Sequence, residues 1–567
     1  MSEILKALDE EQRAAATCVS GSVVILAGAG TGKTRTITHR LAHAIKHGVV
    51  DAQNSLTVTF TNRAAGEVRS RLSELGVLGA NVRTFHSAAL RQLRYFYPQV
   101  FDRNLPTLVT SKSMFVAQAA QLCHLSTDTD LIRDLASEIE WAKVNIMSPD
   151  AYRQFASASR PPIADDVSSE QVAHVYETYL KVLDEAGCID FEDVLLLTTA
   201  LLDNYPELAA TVHSQYRYFT VDEFQDVSPV QFELLRLWLG NRSDVCVVGD
   251  PAQTIYSFTG ATSKYLLQFD HHFPNVQTFE LTHSYRSTPE IIEIANRVLA
   301  KDEQSSLRLI PTKPSGAAVD VNVYVDDEDE SKAVTQQILQ LISQGVQAKD
   351  IAILFRSNFQ SEPLEEHLAD AGIPFSIRGS ARFFERQEVK NAILHLRAST
   401  NVTNERPLGE FVRDIFSGIG WAGQAPTGGL SARETWQSLN TIVELADDFE
   451  AANNKAILPE FIAYLDERHE HDFDPQGNVV TLASTHAAKG LEWDTVFVVG
   501  LSDGLFPISY AQTPNQIAEE RRLFFVAVSR AKNRLKLSWA KARRNSTQGQ
   551  RTVSMFLSEV QAASAKQ

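Results

Sequence analysis

The sequence predicts an α/β protein with two parallel-sheet lobes, each carrying a mainly helical insertion. Four apolar runs in the first half end in Gly, Asp or Thr and lead into helical patterns: SVVILAGAG, LTVTFTNRAA, YFTVDEFQD and DVCVVGDPAQ. Such runs are typical of buried parallel strands with ligand groups at their carboxyl ends. A second set follows, and it predicts the second lobe: VQTFELTHSYRS, IAILFRSN, TVFVVGLSDG and LKLSWA.

Two long stretches without a strand pattern predict the insertions. The first lies between TFHSAALRQLRYF and YFTVDEFQD, and the second runs from about Phe384 to Gly477. We therefore place the first lobe in residues 1–88 and 206–281, with its insertion in 89–205, and the second lobe in 282–383 and 478–567, with its insertion in 384–477. The segment LIPTKPSGAAV and the acidic run Asp326 to Glu330 are interpreted as linker or surface loop, because like charges in a run are usually solvated.

Length and composition limit the class of protein. A chain of 567 residues is too long for one compact core, so size alone predicts three or four domains. Hydrophobic residues at 44% and charged residues at 22% are the balance of a globular protein. A net charge of −17 argues against coating nucleic acid through one broad basic face, but it leaves room for a local basic channel.

Two further features indicate the compartment. The start MSEILKALDEEQ lacks the apolar segment of a signal peptide, and no later apolar run approaches the ~18 residues needed to span a membrane. The four cysteines are scattered without a CxxC pair, so neither zinc nor an iron–sulfur cluster is implied: Cys18, Cys123, Cys188 and Cys246. We expect a cytoplasmic protein with no membrane association.

The stretch LAGAGTGKTRT predicts a phosphate-binding loop between a strand and a helix. It fits the P-loop pattern, with Ala27 where the commonest form has its first glycine. In such a loop peptide N–H groups face the phosphates, the lysine reaches the β and γ oxygens, and the hydroxyl holds Mg²⁺. The residues are Ala27, Gly28, Ala29, Gly30, Thr31, Gly32, Lys33 and Thr34. The alternative is a chance glycine-rich turn.

A pair of carboxylates follows the apolar strand in FTVDEFQD. Asp222 is expected to hold Mg²⁺ and its waters, and Glu223 to orient and deprotonate the attacking water. The alternative is that the acidic pair is a helix N-cap. Gln253, in VVGDPAQTIYSFTGA, could contact the γ-phosphate or its water, although this signal is weak alone.

Taken together, the motifs resemble those of UvrD/Rep/PcrA-type DNA helicases of superfamily 1, over nearly the whole chain. They occur in the family's order: DEEQRAAA, TFTNRAAGEVRSRL, TFHSAALRQLR, VDEFQD, VGDPAQTIYSFTGA, LTHSYRST, RFFERQEVKNAI, VTLASTHAAKGLEWDTVFVVG and EERRLFFVAVSRAK. Three segments are most similar in sequence to the second, divergent UvrD-like helicases of actinobacteria: ALRQLRYFYPQV, QTIYSFTGA and THAAKGLEWD. The resemblance implies two tandem RecA-like lobes with ATP and Mg²⁺ between them.

The resemblance also implies roles around the nucleotide. Gln12 matches the residue that bonds adenine, Arg35 and Tyr285 match those that sandwich the base, and Glu492 matches one that binds the ribose. Arg286 and Arg530 match the arginines that reach the γ-phosphate. A cation supplied to the γ-phosphate by a second lobe accelerates hydrolysis by ~10³-fold or more. Outside this motif context each arginine would be interpreted as a surface ion pair.

On the DNA side, the matched residues are aromatic or hydroxyl-bearing. Phe60, Tyr256 and Phe258 match aromatic positions of the single-strand channel, where bases stack. Thr84 and His86 match phosphate contacts, and Thr61 and Asn62 follow Phe60 in the same motif. The alternative for the aromatics is a place in the core.

Two departures from the family are visible. Close relatives read YGWRGA where this chain reads YSFTGA, so Phe258 and Thr259 replace Trp and Arg. These replacements should weaken base stacking and one polar contact in the DNA channel without abolishing the channel. The second insertion is short, but its SGIGW resembles a hairpin whose Gly418 and Gly420 amides grip duplex phosphates. A plain glycine turn is the alternative. After the last motif we find no nuclease motif, HRDC module or cysteine-rich tail.

The expected function is an ATP- and Mg²⁺-dependent DNA translocase or helicase that, as the resemblance implies, moves 3′ to 5′ on single-stranded DNA, with repair or replication as its setting. One alternative is a translocase that displaces proteins and unwinds poorly, and another is an ATP-switched DNA-binding scaffold. Expected partners are single-stranded DNA, single-strand/duplex junctions and unidentified repair or replication proteins. We expect a monomer or a DNA-dependent dimer.

Overall fold

The computed structural model describes residues 3–109, 111–159, 163, 167–302, 307–378, 387–400, 406–423, 430–452, 457–470, 477–543 and 550–564. The chain divides into two compact units, Met1–Thr282 and His283–Gln567. The motif RFFERQEVKNAI begins at residues 382–386, which lie outside the described residues.

The first unit is built on a parallel sheet of six strands. Its strands are β1 (Ser22–Ala27), β2 (Ser55–Thr59), β3 (Asn81–Thr84), β6 (Tyr218–Val221), β7 (Val245–Gly249) and β8 (Gln277–Leu281), and the short pair β4 (Thr107–Leu108) and β5 (Cys188–Ile189) lies apart from them. The order across the sheet is β3-β2-β6-β7-β1-β8. Because every strand pair is parallel, all six carboxyl ends lie at one edge.

Helices cover this sheet and form the first insertion. They are α1 (Glu10–Thr17), α2 (Lys33–Lys46), α3 (Asn62–Glu74), α4 (Phe85–Phe101), α5 (Ser113–Leu122), α6 (Thr129–Val144), α7 (Pro149–Ser159), α8 (Ser169–Glu185), α9 (Phe191–Asn204), α10 (Pro206–Gln215), α11 (Pro229–Leu239), α12 (Lys264–Leu267) and α13 (Phe269–His272). The core packs β2, β6 and β7 against α4, α9 and α11 around the buried Trp238.

Two details of the first unit differ from the sequence prediction. The VQTFEL strand, grouped with the second set, is β8, and it pairs with β1 in the first sheet. The first insertion contains a strand pair after all, since β4 and β5 form a two-residue parallel ladder. Two residues per strand are too short for a periodic pattern to be visible in the sequence.

The second unit is built on another six-stranded parallel sheet. Its strands are β11 (Asp320–Tyr324), β12 (Ile351–Phe355), β13 (Phe375–Arg378), β14 (Val480–Ser484), β15 (Trp493–Val498) and β16 (Ala531–Ala540), with the separate pair β9 (His283–Ser284) and β10 (Ile310–Pro311). The order is β11-β16-β15-β12-β14-β13. The prediction of two parallel-sheet lobes is confirmed.

The helices of the second unit include those of its insertion. They are α14 (Pro289–Leu299), α15 (Asp327–Ser343), α16 (Ser361–Asp370), α17 (Gln387–Ala398), α18 (Leu408–Ser417), α19 (Leu430–Ala452), α20 (Leu458–Glu470), α21 (Pro514–Val528) and α22 (Met555–Ser564). The insertion helices α17 to α20 share their own core around Phe416 and Phe461. Among the described residues, no helix is both long and apolar enough to cross a membrane.

The interpretation of the acidic run Asp326 to Glu330 as linker or loop is wrong. Asp326 is the N-cap of α15 and accepts a hydrogen bond from Asp329 N at 2.9 Å. The next four acidic residues form the first helical turn, where the helix dipole favours negative charge. Glu330 is only 4% exposed and accepts hydrogen bonds from Gly500 N and Ser538 Oγ. The run is therefore a helix start with a buried anchor.

A buried ion cluster holds the first insertion together. Lys143 Nζ, which is fully buried, donates to Asp190 Oδ2 at 2.7 Å and to Asp193 Oδ1 at 2.8 Å. Tyr179 OH donates to the same Asp190 carboxylate at 2.7 Å. Burial alone would raise the pKa of Asp190, but the Lys143 ammonium and these hydrogen bonds hold it at about 2. The cluster ties the end of α6 to the start of α9.

Replacing Lys143 with Met is expected to destabilise the protein by about 3–5 kcal/mol, because the buried Asp190 and the partly buried Asp193 lose their cation. The measurement is the shift of the first unfolding transition in urea. Lys181→Met is the matched control, since Lys181 makes an exposed pair with Glu177 and its loss should change stability by less than about 1 kcal/mol. Equal midpoints for the two variants would show that the cluster does not stabilise the fold.

Candidate functional site

The predicted phosphate-binding loop joins β1 to α2 in a tight wrap. Gly30 and Gly32 have φ of 75° and 82°, in the left-handed region that favours glycine. Gly28 N donates to Leu281 O at 3.2 Å, and Thr31 Oγ1 donates to Gly28 O at 2.9 Å. A Cβ at Gly32 would lie 2.7 Å from Gln12 Nε2, so a side chain there would displace the Gln12 amide from its bond to Thr31 O.

Lys33, the first residue of α2, has a buried ammonium. Its Nζ has no hydrogen-bond partner among the described residues. A buried unpaired cation is unfavourable unless an anion joins it, and the N-terminus of a helix also favours an anion. Thr34 follows it in the first turn of α2. This arrangement fits a nucleotide's phosphates with a bound Mg²⁺.

The residues expected near the base are engaged within the protein. Gln12 Nε2 donates to Thr31 O at 2.9 Å, which links α1 to the phosphate loop. Arg35 Nη2 donates to Ala7 O at 2.6 Å. The adenine contacts of both residues remain predictions.

The carboxylate pair follows β6, which lies directly beside β2 in the sheet. Asp222 is buried, and its N–H donates to Val58 O at 2.9 Å. Burial, followed by the charge of Glu223, raises the pKa of Asp222 to about 7, while Lys33 opposes the shift. The aspartate is therefore held in a site that disfavours its charge until a cation arrives.

Glu223 has a strained backbone, with φ of 51° and ψ of 42°. Such a conformation is unfavourable for a residue other than glycine and is often found at functional sites. Glu223 precedes the 3-10 helix Phe224–Asp226, yet its side chain makes no cap hydrogen bond. Glu223 therefore occupies the N-cap position without a side-chain cap, while Asp222 Oδ1 accepts from Glu223 N at 2.9 Å.

Two residues that the sequence analysis missed organise this carboxylate. Gln225 Nε2 donates to Glu223 Oε2, and Gln225 Oε1 accepts from Asp250 N at 3.0 Å. Asp250 Oδ2 in turn accepts from Gln253 Nε2 at 2.7 Å. Gln253 is therefore tied to a buried carboxylate in this structure. A signal was present, because Gln225 and Asp250 also follow predicted strands.

The three aromatics predicted to stack on DNA lie together at the same sheet edge. The Phe60 and Tyr256 rings are stacked, with centroids 5.8 Å apart and planes at 12°. Tyr256 meets Phe258 edge-on at 6.1 Å. Phe60 is 46% exposed and Phe258 is 59% exposed, so the core alternative does not describe these two rings. The structure brings the row Phe60, Tyr256 and Phe258 together.

The hydroxyl and imidazole groups at this edge have structural partners. Thr61 and Thr84 are N-caps whose side chains accept from Ala64 N and Ser87 N, and Asn62 is the exposed first residue of α3. His86 stacks on Phe191 with centroids 3.8 Å apart. Burial lowers the pKa of His86 to about 4, so a phosphate would meet a neutral imidazole.

The second unit places its own predicted residues near one another. Arg286 Nε donates to Glu492 Oε2 at 2.6 Å, and Lys532 also pairs with Glu492. Although burial opposes it, these two cations hold the pKa of Glu492 at about 2. Arg530 is buried and donates to the Val526 and Leu491 carbonyls and to Ser529 Oγ. Tyr285, beside Arg286, is about half exposed.

The SGIGW segment forms the end of helix α18. Gly418 is its C-cap, and Gly420 has φ of 97°. The N–H groups of Ile419 and Trp421 donate to Phe416 O, and that of Gly420 donates to Ser417 O. Amides that already have partners within a turn are poor phosphate donors unless the turn opens. The duplex grip by Gly418 and Gly420 remains a prediction, and the geometry is that of a helix-ending glycine turn.

Comparison with known proteins matches the chain to two family models and to several relatives. Residues 8–274 match the model of the UvrD/REP helicase N-terminal domain, and residues 279–426 and 428–542 match that of the UvrD-like helicase C-terminal domain. The chain is 43% identical over 578 residues to ATP-dependent DNA helicase UvrD2 of Mycobacterium tuberculosis (strain H37Rv), covering 98% of this chain and 82% of the relative. It is 28% identical over 625 residues to ATP-dependent DNA helicase PcrA of Staphylococcus aureus (strain Mu50), covering 96% and 84%.

Proposed function

The chain belongs to the family of UvrD-like DNA helicases, and on that premise we propose that it hydrolyses ATP to move 3′ to 5′ along single-stranded DNA. It is an ATP-dependent DNA helicase by its family and its relatives. One observation of this chain's own structure supports the proposal. The Lys33 ammonium, which has no hydrogen-bond partner among the described residues, and the buried carboxylate of Asp222 follow strands of the same sheet as the stacked ring pair Phe60 and Tyr256, at the same edge.

In this proposal each group of the first unit has one task. Lys33 binds the β and γ oxygens of the nucleotide, and Thr34 and Asp222 hold Mg²⁺, which would neutralise phosphate charge. Glu223 takes the proton of the attacking water, and Gln225 keeps its carboxylate aimed. We assign Gln253 to the γ-phosphate or its attacking water, which requires its amide to exchange its hydrogen bond to Asp250 Oδ2.

The second unit supplies the remaining nucleotide contacts. We assign Arg286 and Arg530 to the γ-phosphate, Tyr285 to the base and Glu492 to the ribose. Arg286 is bonded to Glu492 in this structure, so its assignment requires that ion pair to exchange for the nucleotide. Support comes from the family match over residues 279–426 and 428–542 and from the clustering of these groups.

We further propose the domain division given by the sequence: lobe 1A in 1–88 and 206–281, insertion 1B in 89–205, lobe 2A in 282–383 and 478–567, and insertion 2B in 384–477. The proposed partners are single-stranded DNA and single-strand/duplex junctions, with repair or replication proteins, acting as a monomer or DNA-dependent dimer. A cytoplasmic location fits the four free cysteines, which favour a reducing compartment.

Duplexes with either a 3′ or a 5′ single-stranded tail test the proposal. With ATP and Mg²⁺, we expect unwinding from the 3′ tail and ATP turnover that depends strongly on single-stranded DNA. Preferential unwinding from the 5′ tail would overturn the polarity. Turnover that is equally fast without DNA would overturn the coupling.

The turn at the end of α18 favours a second candidate, a translocase that displaces proteins and unwinds poorly. The amides of Ile419, Gly420 and Trp421 are bonded within this turn, so the turn itself offers them to a duplex only if it opens. Melting takes ~1.4 kcal/mol per base-pair step, so a motor without a duplex grip can walk and still stall. Translocation and unwinding should be measured on one preparation. Unwinding that holds up on long duplexes would exclude this candidate.

A further inference from the structure

The loop that carries Phe258 rests against a helix of the first insertion. Residues Ser257–Thr259 form a single turn of 3-10 helix, and Gly260 follows with φ of 91°. Ser257 and Phe258 are exposed, whereas Gly260 is buried. Helix α6 packs against this turn. We call Tyr256–Gly260 the stacking loop.

The close approach between the stacking loop and α6 leaves no space for a side chain at Gly260. A Cβ added there would lie 2.5 Å from Val144 Cγ2 and 3.0 Å from Asn145 Nδ2. The first distance is far inside the optimum of ~3.5–4.0 Å between carbon atoms, so a side chain would push the loop away from the helix. Asn145 is fixed in turn, because its Nδ2 donates to Trp141 O at 2.8 Å.

The stacking loop is a compact unit, so a shift at Gly260 would be passed on to Phe258. The N–H groups of Thr259 and Ala261 donate to Tyr256 O, at 3.0 and 3.2 Å. Thr259 Oγ1 donates to the same oxygen at 2.9 Å. Phe258 is 59% exposed, so the position of its ring depends mainly on this backbone turn.

The end of α6 is itself anchored. Lys143, next to Val144, is tied by two hydrogen bonds to Asp190 and Asp193 at the start of α9. Val144 packs at the edge of the large core of the first unit. The end of α6 is therefore a fixed surface, and the stacking loop takes its position from it.

We propose that Val144 and Asn145, at the end of α6, position the stacking loop so that the Phe258 ring can stack on a DNA base. This inference rests on the proposed function and adds positioning residues to its DNA site. Neither Val144 nor Asn145 has to touch DNA in this arrangement. The first insertion then sets the affinity for single strands without taking part in ATP hydrolysis.

The test uses the full chain and separates the spacing between loop and helix from backbone strain. Gly260→Ala adds the Cβ that would meet Val144, and Gly260→Ala/Val144→Ala removes the atom that it would meet. Gly79→Ala is the matched control, because Gly79 has φ of 79° and nothing lies within 4 Å of an added Cβ. Val100→Ala is the control for Val144→Ala, since both valines are partly buried at the same core. Fluorescence anisotropy follows binding of a labelled single strand, beside ATP turnover with and without DNA.

We expect Gly260→Ala to weaken single-strand binding by about tenfold through lost base stacking, and to raise the DNA concentration for half-maximal turnover by the same factor. DNA-free turnover and nucleotide affinity should stay at the wild-type level, which also shows that the first unit is folded. The double variant should recover most of the affinity, and Val144→Ala alone should lose about threefold as the contact loosens. In a Phe258→Ala background, Gly260→Ala should have no further effect, because the positioning acts through that ring.

Equal single-strand affinity for Gly260→Ala and Gly79→Ala would overturn the inference. So would a loss that Val144→Ala does not reduce, which would assign the effect to the backbone of Gly260, or a further loss in the Phe258→Ala background, which would assign it to another DNA contact. If Gly260→Ala does not fold, Val144→Ala carries the test, and an affinity equal to that of Val100→Ala would overturn the inference. Failure of the proposed function is distinguishable, because the wild type itself would then show no DNA-stimulated turnover.

Discussion

Replacing Glu223 with Gln is expected to keep ATP and DNA binding within a few-fold of the wild type while lowering DNA-stimulated ATP turnover by about 10²–10⁴-fold. The amide is the same size as the carboxylate and can still accept the hydrogen bond from Gln225. It cannot take a proton from water. Asp222 stays in place, so the proposed Mg²⁺ coordination should be kept, and the loss should fall on turnover rather than on affinity.

The matched control is Glu280→Gln, an exposed carboxylate on β8 of the same sheet. It makes the same change of charge and should leave turnover at the wild-type level. The measurements are steady-state ATP hydrolysis with saturating single-stranded DNA and binding of a labelled nucleotide. Turnover of Glu223→Gln within about tenfold of the wild type would rule out the role of general base.

The parts of the fold and site that sequence predicts are those with local signals. The P-loop, the carboxylate pair and the row Phe60, Tyr256 and Phe258 follow strands whose apolar runs are visible in the sequence, and parallel pairing then brings their ends to one edge. The fold class follows from the same runs. The family resemblance, carried by many motifs in order, is confirmed by both domain models.

What sequence does not predict depends on distant partners. The acidic run was interpreted as solvated, but Glu330 is buried because Gly500 N and Ser538 Oγ, far along the chain, donate to it. Arg530 and Gln12 were assigned from motifs, while their present hydrogen bonds to Leu491 O and Thr31 O come from tertiary folding. The missed Gln225 has the same origin, since its Oε1 reaches Asp250 across two strand ends.

Replacing Lys33 with Ala is expected to weaken nucleotide binding itself, by about 10–100-fold in Kd, because a hydrogen bond to a charged group is worth ~1.5–3 kcal/mol. Among the described residues the Lys33 ammonium has no hydrogen-bond partner, but its charge favours the ionised form of the buried Asp222. Removing Lys33 therefore relieves a buried charge and also removes its attraction to Asp222, and these two effects oppose each other. Thermal stability without nucleotide should change little, while the stabilisation by added nucleotide should shrink.

Lys46→Ala is the matched control, because Lys46 is the exposed last residue of the same helix α2. It should leave both the nucleotide affinity and the nucleotide-dependent thermal shift unchanged. The measurements are titration with a fluorescent nucleotide and thermal unfolding with and without ATP and Mg²⁺. Together with Glu223→Gln, the pair separates binding from turnover, since in our proposal Lys33 contacts phosphate already in the ground state and Glu223 acts on water. An unchanged Kd for Lys33→Ala would show that the buried ammonium serves another anion, and the phosphate assignment of the loop would have to be abandoned.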